Sequence, residues 1–184
     1  MKINLTDLEV VRASALDVAA DAIVNAASTA MRGGGGIDGA IHAGAGRALM
    51  EELREVAPDG AATSEVVVTS GHNLPHTWIL HVAGPIWNPG RADECDELLG
   101  ACYGNTLEES DSRGLESVVM PSISTGIYGF PIVRAAPIAL ETAIEFLQSH
   151  PTTTLRRVTF ALRGEDEHAV FRRALQTLAD ETYA

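Results

Sequence analysis

The chain has 184 residues, 46% of them hydrophobic, and sets 25 acids against 13 Lys and Arg, for a net charge of −12 and a pI near 4.8. That charge argues against an extended contact with a nucleic-acid backbone or an anionic membrane, both of which call for clustered Lys and Arg. No apolar stretch approaches the roughly 20 residues of a membrane span and the N-terminus lacks a signal-peptide pattern, so the expected location is the cytoplasm.

The length suits one sizeable core, and nothing between residues 1 and 184 reads as a linker, so a single domain is expected. Apolar runs bounded by turn residues predict strands over 3–11, 22–25, 65–70, 78–82, 117–120 and 158–162. Helical spacing covers 36–57, with a break expected near Gly44 and Gly46, then 94–112, 131–148 and 166–179. Pro58-Asp59-Gly60 stops the first helix, and Pro131 suits a first helical turn. After the opening segment strands alternate with helices. Val66-Val67-Val68 and Ser117-Val118-Val119-Met120 are apolar on both faces, as in a sheet covered on each side. The fold class is therefore three-layer α/β/α.

Leu98, Leu99, Cys102, Tyr103 and Leu107 recur at helical spacing and read as core. Cys95 and Cys102 share that helix at a separation too large for a disulfide and read as reduced, half-buried thiols. His72, His76 and His81 are interrupted by Gly71 and Pro75, and neither CxxC nor HExxH occurs, so no protein-bound metal is expected.

Residues 33–46 hold seven of the 17 glycines, with Asp38 and His42 among them. An apolar strand-like segment precedes this run and a helix-forming one follows it, unlike a flexible linker. Gly33, Gly34, Gly35 and Gly36 let a ligand approach the backbone, and their N–H groups can converge on an anion at a helix start. A second loop, following 117–120, runs from Pro121 to Pro131; its Ser122, Ser124, Thr125 and Gly126 offer hydroxyls and amides, and Tyr128 between Ile127 and Gly129 suits a cover over a sugar or ring. Two phosphate-friendly loops beyond strand ends suggest a diphosphate ligand. Gly34 to Gly39 matches G-x-G-x-x-G, but eight residues separate Val24 from Gly33, so the dinucleotide fingerprint is weak; no Lys-Ser or Lys-Thr pair follows for a P-loop.

Taken in order, Val24-Asn25-Ala26-Ala27, Gly33 to Gly36, Asp38-Gly39-Ala40-Ile41-His42, Leu74-Pro75, His81-Val82-Ala83-Gly84-Pro85 and Ile123 to Pro131 resemble a macrodomain of the MacroD type across roughly residues 21–162. The resemblance implies a central mixed, largely parallel sheet of about six strands, an ADP-ribose pocket, and hydrolysis of ADP-ribose from acidic side chains and of O-acetyl-ADP-ribose, with no cofactor. Carried over by position, Asp38 is the acid that orients or activates the attacking water, His42 lies one helical turn beyond it, and Asn25 contacts the distal ribose. Gly33, Gly34, Gly35, Gly36 and Ile37 hold one side of the diphosphate, and Ser124, Thr125, Gly126, Ile127 and Tyr128 close the other. Ser14 and Ala15 fall at the adenine end. The i, i+4 spacing of Asp38 and His42 puts both on one helix face, which fits this assignment.

Two positions depart from the family pattern. Ser28 stands where a second asparagine is usual, and Ser14 where an aspartate recognises the adenine amine, with Asp17 a substitute if the strand end shifts. Serine donates and accepts hydrogen bonds but reaches less far. Three function classes follow: a hydrolase acting on ADP-ribosylated protein, a module that binds ADP-ribose without cleaving it, and reversal of ADP-ribosylation on a flipped DNA base. A structural reading of Asp38, as an acid favoured by the positive end of its helix, is worth roughly 0.3–1 kcal/mol.

Overall fold

In the computed structural model, which describes residues 1–183, the opening strand-like segment divides into β1 (Lys2–Ile3) and β2 (Thr6–Val11). Asn4 turns the chain with φ +52°, so that Lys2 pairs with Asp7 and Ile3 with Thr6 in a short antiparallel hairpin. Asparagine tolerates this left-handed backbone better than most residues. The sheet accordingly has seven strands where the sequence predicts about six.

The chain continues through β3 (Ala22–Ala27), α1 (Gly36–Ala45), α2 (Arg47–Val56), β4 (Val66–Ser70), β5 (Trp78–Ala83), α3 (Ala92–Ser112), β6 (Ser117–Met120), α4 (Ile132–Ser149), β7 (Arg157–Ala161) and α5 (Glu165–Tyr183). The expected break in the first helix falls at Gly46, with φ +86°. Spatial order is β1-β2-β7-β6-β3-β5-β4, parallel from β2 to β5 and antiparallel at both edges. The carboxyl ends of β2, β7, β6, β3 and β5 therefore share one edge of the sheet, where ligands bind in open α/β folds.

Alternation along the central strands separates two apolar faces. Val24, Leu80, Val82, Val118, Met120, Val158 and Phe160 pack under α3, α4 and α5, while Ile23, Ile79, Ala83 and Val119 pack under Ile41, Leu49 and Leu53 of α1 and α2. Each fully buried Leu, Ile or Phe contributes about 1.5–3 kcal/mol through removal of apolar area from water. Cys95 and Cys102 are free and buried, and burial pushes the Cys102 thiol up to about 12. No helix among the described residues is long and apolar enough to cross a membrane.

Tyr103 ties this core to the loop after β6. Its hydroxyl donates to the Pro121 carbonyl at 3.3 Å and accepts from the Ile123 amide at 2.8 Å, wholly out of solvent. Burial raises its pKa well above the usual value, so the phenol keeps its proton. Tyr103→Phe strands the Ile123 N–H and should lower stability by about 1–3 kcal/mol, measurable as a fall in denaturant midpoint with an unchanged slope.

Candidate active site

Where β3 and β6 run into their loops, a cleft of about 480 Å³ opens. Its walls include Ser14 and Ala15 beyond β2, Ser28, Gly34, Gly35, Gly36, Ile37 and Asp38 from the loop and first turn of α1, and Ser124, Thr125, Gly126, Ile127 and Tyr128 from the loop after β6. Thirteen residues that the sequence places in one site thus do face one cavity. Gly33, Asn25 and His42 do not line it. Gly33 lies against the His42 ring, which stands 3.6 Å from where a Cβ would project. Asp17 is exposed and outside the cleft, so it does not replace an adenine-binding acid at Ser14.

The polyglycine turn brings its backbone close to α1. A Cβ on Gly39 would lie 2.7 Å from the Gly34 carbonyl oxygen, so only glycine allows this approach. Across the cleft, Ile127 is 87% exposed, and its Cδ1 stands 3.6 Å from the position of a Cβ on Gly35. Ser124 adopts φ +65°, and its buried hydroxyl has no hydrogen-bond partner. Such a conformation costs about 1–3 kcal/mol and is retained where the surroundings demand it. Gly34, Gly35 and Gly36 on one side and Ser124, Thr125 and Gly126 on the other border the space between the loops, a composition that suits a diphosphate.

Among the described residues Asp38 is the one buried acid. Asn25, fully enclosed in β3, donates its Nδ2 to Asp38 Oδ1 at 2.7 Å. His42 Nε2 lies 3.4 Å from the same oxygen. Oδ2 lies on the Gly34 side, 3.1 Å from where a Cβ on that glycine would stand. Asn25 therefore sits behind Asp38 instead of on the ribose-facing wall expected for it, because residues 23, 25 and 27 of β3 face α1.

Behind Asn25 the polar contacts continue. Its Nδ2 is also 3.0 Å from His81 Nδ1, and His81 Nε2 is 2.9 Å from Thr69 Oγ1. Burial, with the neighbouring His42 as a lesser cause, lowers the His81 pKa from 6.5 to about 3. Once unfolded, His81 takes up a proton as pH falls through 6.5, whereas the folded chain resists this until about 3. Below the unfolded value the unfolded state thus binds more protons, and stability contributed above pH 6.5 is lost on acidification. Native-state stability should drop by about 3 kcal/mol between pH 7 and pH 4 from this group. Urea unfolding at both pH values checks it, with a shallower loss expected for His81→Asn.

The residues lining a third segment of the cleft wall carry no glycine or hydroxyl signature in the sequence. Leu162, Arg163 and Glu167 line it from the end of β7 and the first turn of α5. The rule that ligands lie beyond carboxyl ends of parallel strands points to the segment after 158–162 as well as to the two glycine-bearing loops.

Residues 24–139 match the family model of the Macro domain. A Macro domain-containing protein of Methanosarcina mazei is 43% identical over 150 residues, covering 82% of this chain and 79% of that protein. The O-acetyl-ADP-ribose deacetylase of Escherichia fergusonii is 36% identical over 176 residues, covering 95% and 98%. Among solved structures, the Oceanobacillus iheyensis macrodomain with ADP is similar at 41% identity and TM-score 0.91, covering 98% of this chain and 96% of that one. The Trypanosoma brucei macrodomain in complex with ADP-ribose is similar at 36% identity and TM-score 0.84, covering 91% and 68%. A mixed seven-stranded sheet between helical layers, a glycine-rich cleft at its carboxyl edge and these likenesses agree, and the chain belongs to the macrodomain family.

Proposed function

We propose that this macrodomain is an ADP-ribosyl hydrolase that releases mono-ADP-ribose from Glu and Asp side chains of proteins and deacetylates O-acetyl-ADP-ribose. The supporting observation is the Asp38 carboxylate, buried at the cleft wall with Oδ1 held by Asn25 and Oδ2 turned to the Gly34 side. Amides of Gly34 to Gly36 and of Ser124 to Tyr128 hold the diphosphate, and Ser14 and Ala15 border the base. Asp38 then orients water for attack at the distal ribose anomeric carbon or at the acyl carbon of its ester. The ester is already labile, so positioning supplies much of the acceleration. A water held by the ligand's own phosphate is a second base, which makes Asp38 helpful and not indispensable. His42, 3.4 Å from Asp38, helps to hold the carboxylate. No cofactor enters the scheme. The partners are ADP-ribose and the modified protein, without a membrane or an extended nucleic-acid interface, and the buried reduced thiols suit the cytoplasm.

A reader module draws support from Ser28, which lines the cleft where the family carries a longer amide. The deciding experiment measures ADP-ribose release from Glu/Asp-modified protein at confirmed ADP-ribose occupancy. Release establishes the hydrolase; occupancy without release leaves the reader, and modified single-stranded DNA is then the substrate to compare.

A further inference from the structure

We propose that His81 and Thr69 are positioning residues: through the Asn25 amide they determine which oxygen of Asp38 is tied down and which is left to hold water. The inference rests on the hydrolase reading. A row of polar residues stands where apolar ones are expected. Asn25 on β3 registers with His81 on β5, and Thr69 on β4 is the diagonal neighbour of His81, since Val67 pairs with His81 and Thr69 with Ile79. All three are at most 1% exposed, on the face that otherwise carries Ile23, Ala27, Ile79, Ala83 and Val67. None borders the cleft. Burying three polar side chains costs more than burying aliphatic ones unless each is bonded, so a stripe serving packing alone would be apolar.

The chemistry of the row gives it one direction. A carboxylate only accepts, so one Asn25 Nδ2 hydrogen belongs to Asp38 Oδ1. The other lies on His81 Nδ1, which must then present a lone pair. The ring proton is left on Nε2 and donates to Thr69 Oγ1. Turning the amide over would set its carbonyl oxygen against the Asp38 carboxylate, two acceptors in contact. In the orientation held, Asn25 Oδ1 has no partner. The amide thus forgoes a bond of its own while giving both N–H groups to Asp38 and His81. A charged His81 would turn a hydrogen toward the amide hydrogens; burial and His42 keep the ring neutral. With Oδ1 committed to Asn25 and His42, Oδ2 remains for water.

The test combines imidazole nitrogen NMR with kinetics on a Glu/Asp-ADP-ribosylated protein for wild type, His81→Leu, His81→Asn and Thr69→Val. Wild-type His81 is expected as the Nε2–H tautomer, without titration between pH 5 and 9. His81→Leu should lower kcat about 10–100-fold with KM changed less than about threefold, since small misplacements of a catalytic group cost about this much. His81→Asn, whose side-chain oxygen falls near the site of Nδ1, should restore most of kcat. Thr69→Val keeps the shape of threonine and should cost about threefold to tenfold, which keeps the test informative if His81→Leu does not fold. A proton on Nδ1, a titration in that range, or folded His81→Leu and Thr69→Val proteins with wild-type kcat would overturn the proposal. Wild type without turnover sinks the hydrolase reading and this one with it; an active wild type with insensitive variants sinks this one alone.

Discussion

Asp38→Ala should fold, keep ADP-ribose bound, and lose about 10²–10³ of its turnover. The magnitude follows from removing a group that orients and deprotonates the nucleophile, an effect of about 10²–10⁴ where no substitute base acts. The ligand's own phosphate is such a partial substitute, which keeps the expected loss at the lower end. Alanine also leaves the Asn25 amide without its acceptor at a fully buried position, so a stability cost of about 1–3 kcal/mol should accompany the kinetic one. The two effects separate by assaying at matched ADP-ribose occupancy and well below the melting temperature. Asp38→Asn is the isosteric comparison: its amide oxygen still accepts from Asn25, so it should recover stability while turnover stays low. If Asp38→Ala turned over at the wild-type rate, the carboxylate would be a ligand contact or a structural acid.

Gly84→Ala should abolish most ADP-ribose binding although residue 84 carries no polar side chain. It borders the cleft just beyond β5, and an added Cβ would sit 2.1 Å from Ser124 Oγ and 2.5 Å from Ile123 Cγ2. Rotation of the serine relieves the first contact and not the second. Ile123 is fully buried, and its amide is held by Tyr103, so the strain passes into the loop that carries Thr125 to Tyr128. Loss of affinity of tenfold or more, equivalent to about 1.4 kcal/mol, is expected by calorimetric titration with ADP-ribose, together with overpacking destabilisation of about 1–3 kcal/mol. Ser124→Ala added to Gly84→Ala should restore part of the affinity by removing the nearer contact. Unchanged binding by Gly84→Ala would show that the loop after β6 is free to shift.

Much of this architecture can be read along the chain because its signals are local. Apolar runs of four to six residues mark β3, β5, β6 and β7, the glycines at 33–36 and 46 bracket α1, and Pro131 starts α4, where it holds the position just before the first helical residue. The first strand is read as one piece although its apolar positions change parity, from Ile3 and Leu5 to Leu8 and Val10, across the turn that Asn4 makes. The cleft is legible at two loops through their glycines and hydroxyls; Arg163 and Glu167 carry no such composition, and the strand-end rule singles them out only once β7 is known to run parallel between β2 and β6. Asn25 is the instructive case. Its residue type and motif mark it as important, but whether it faces ligand or backs a catalytic acid depends on strand parity and on what stands beside it on β5.

The same sheet order limits how the chain can be cut. Residues 24–139 carry the family signature, yet they omit β1, β2 and β7, which continue the sheet beyond β6. A fragment trimmed to those limits would bare the parallel edge of β6 and uncover the apolar face on which Val158 and Phe160 pack, the combination that favours intermolecular strand pairing. A fragment cut to the family segment is therefore expected to aggregate, because strands from both sides of that segment, β1 and β2 before it and β7 after it, complete the sheet on which its motifs stand.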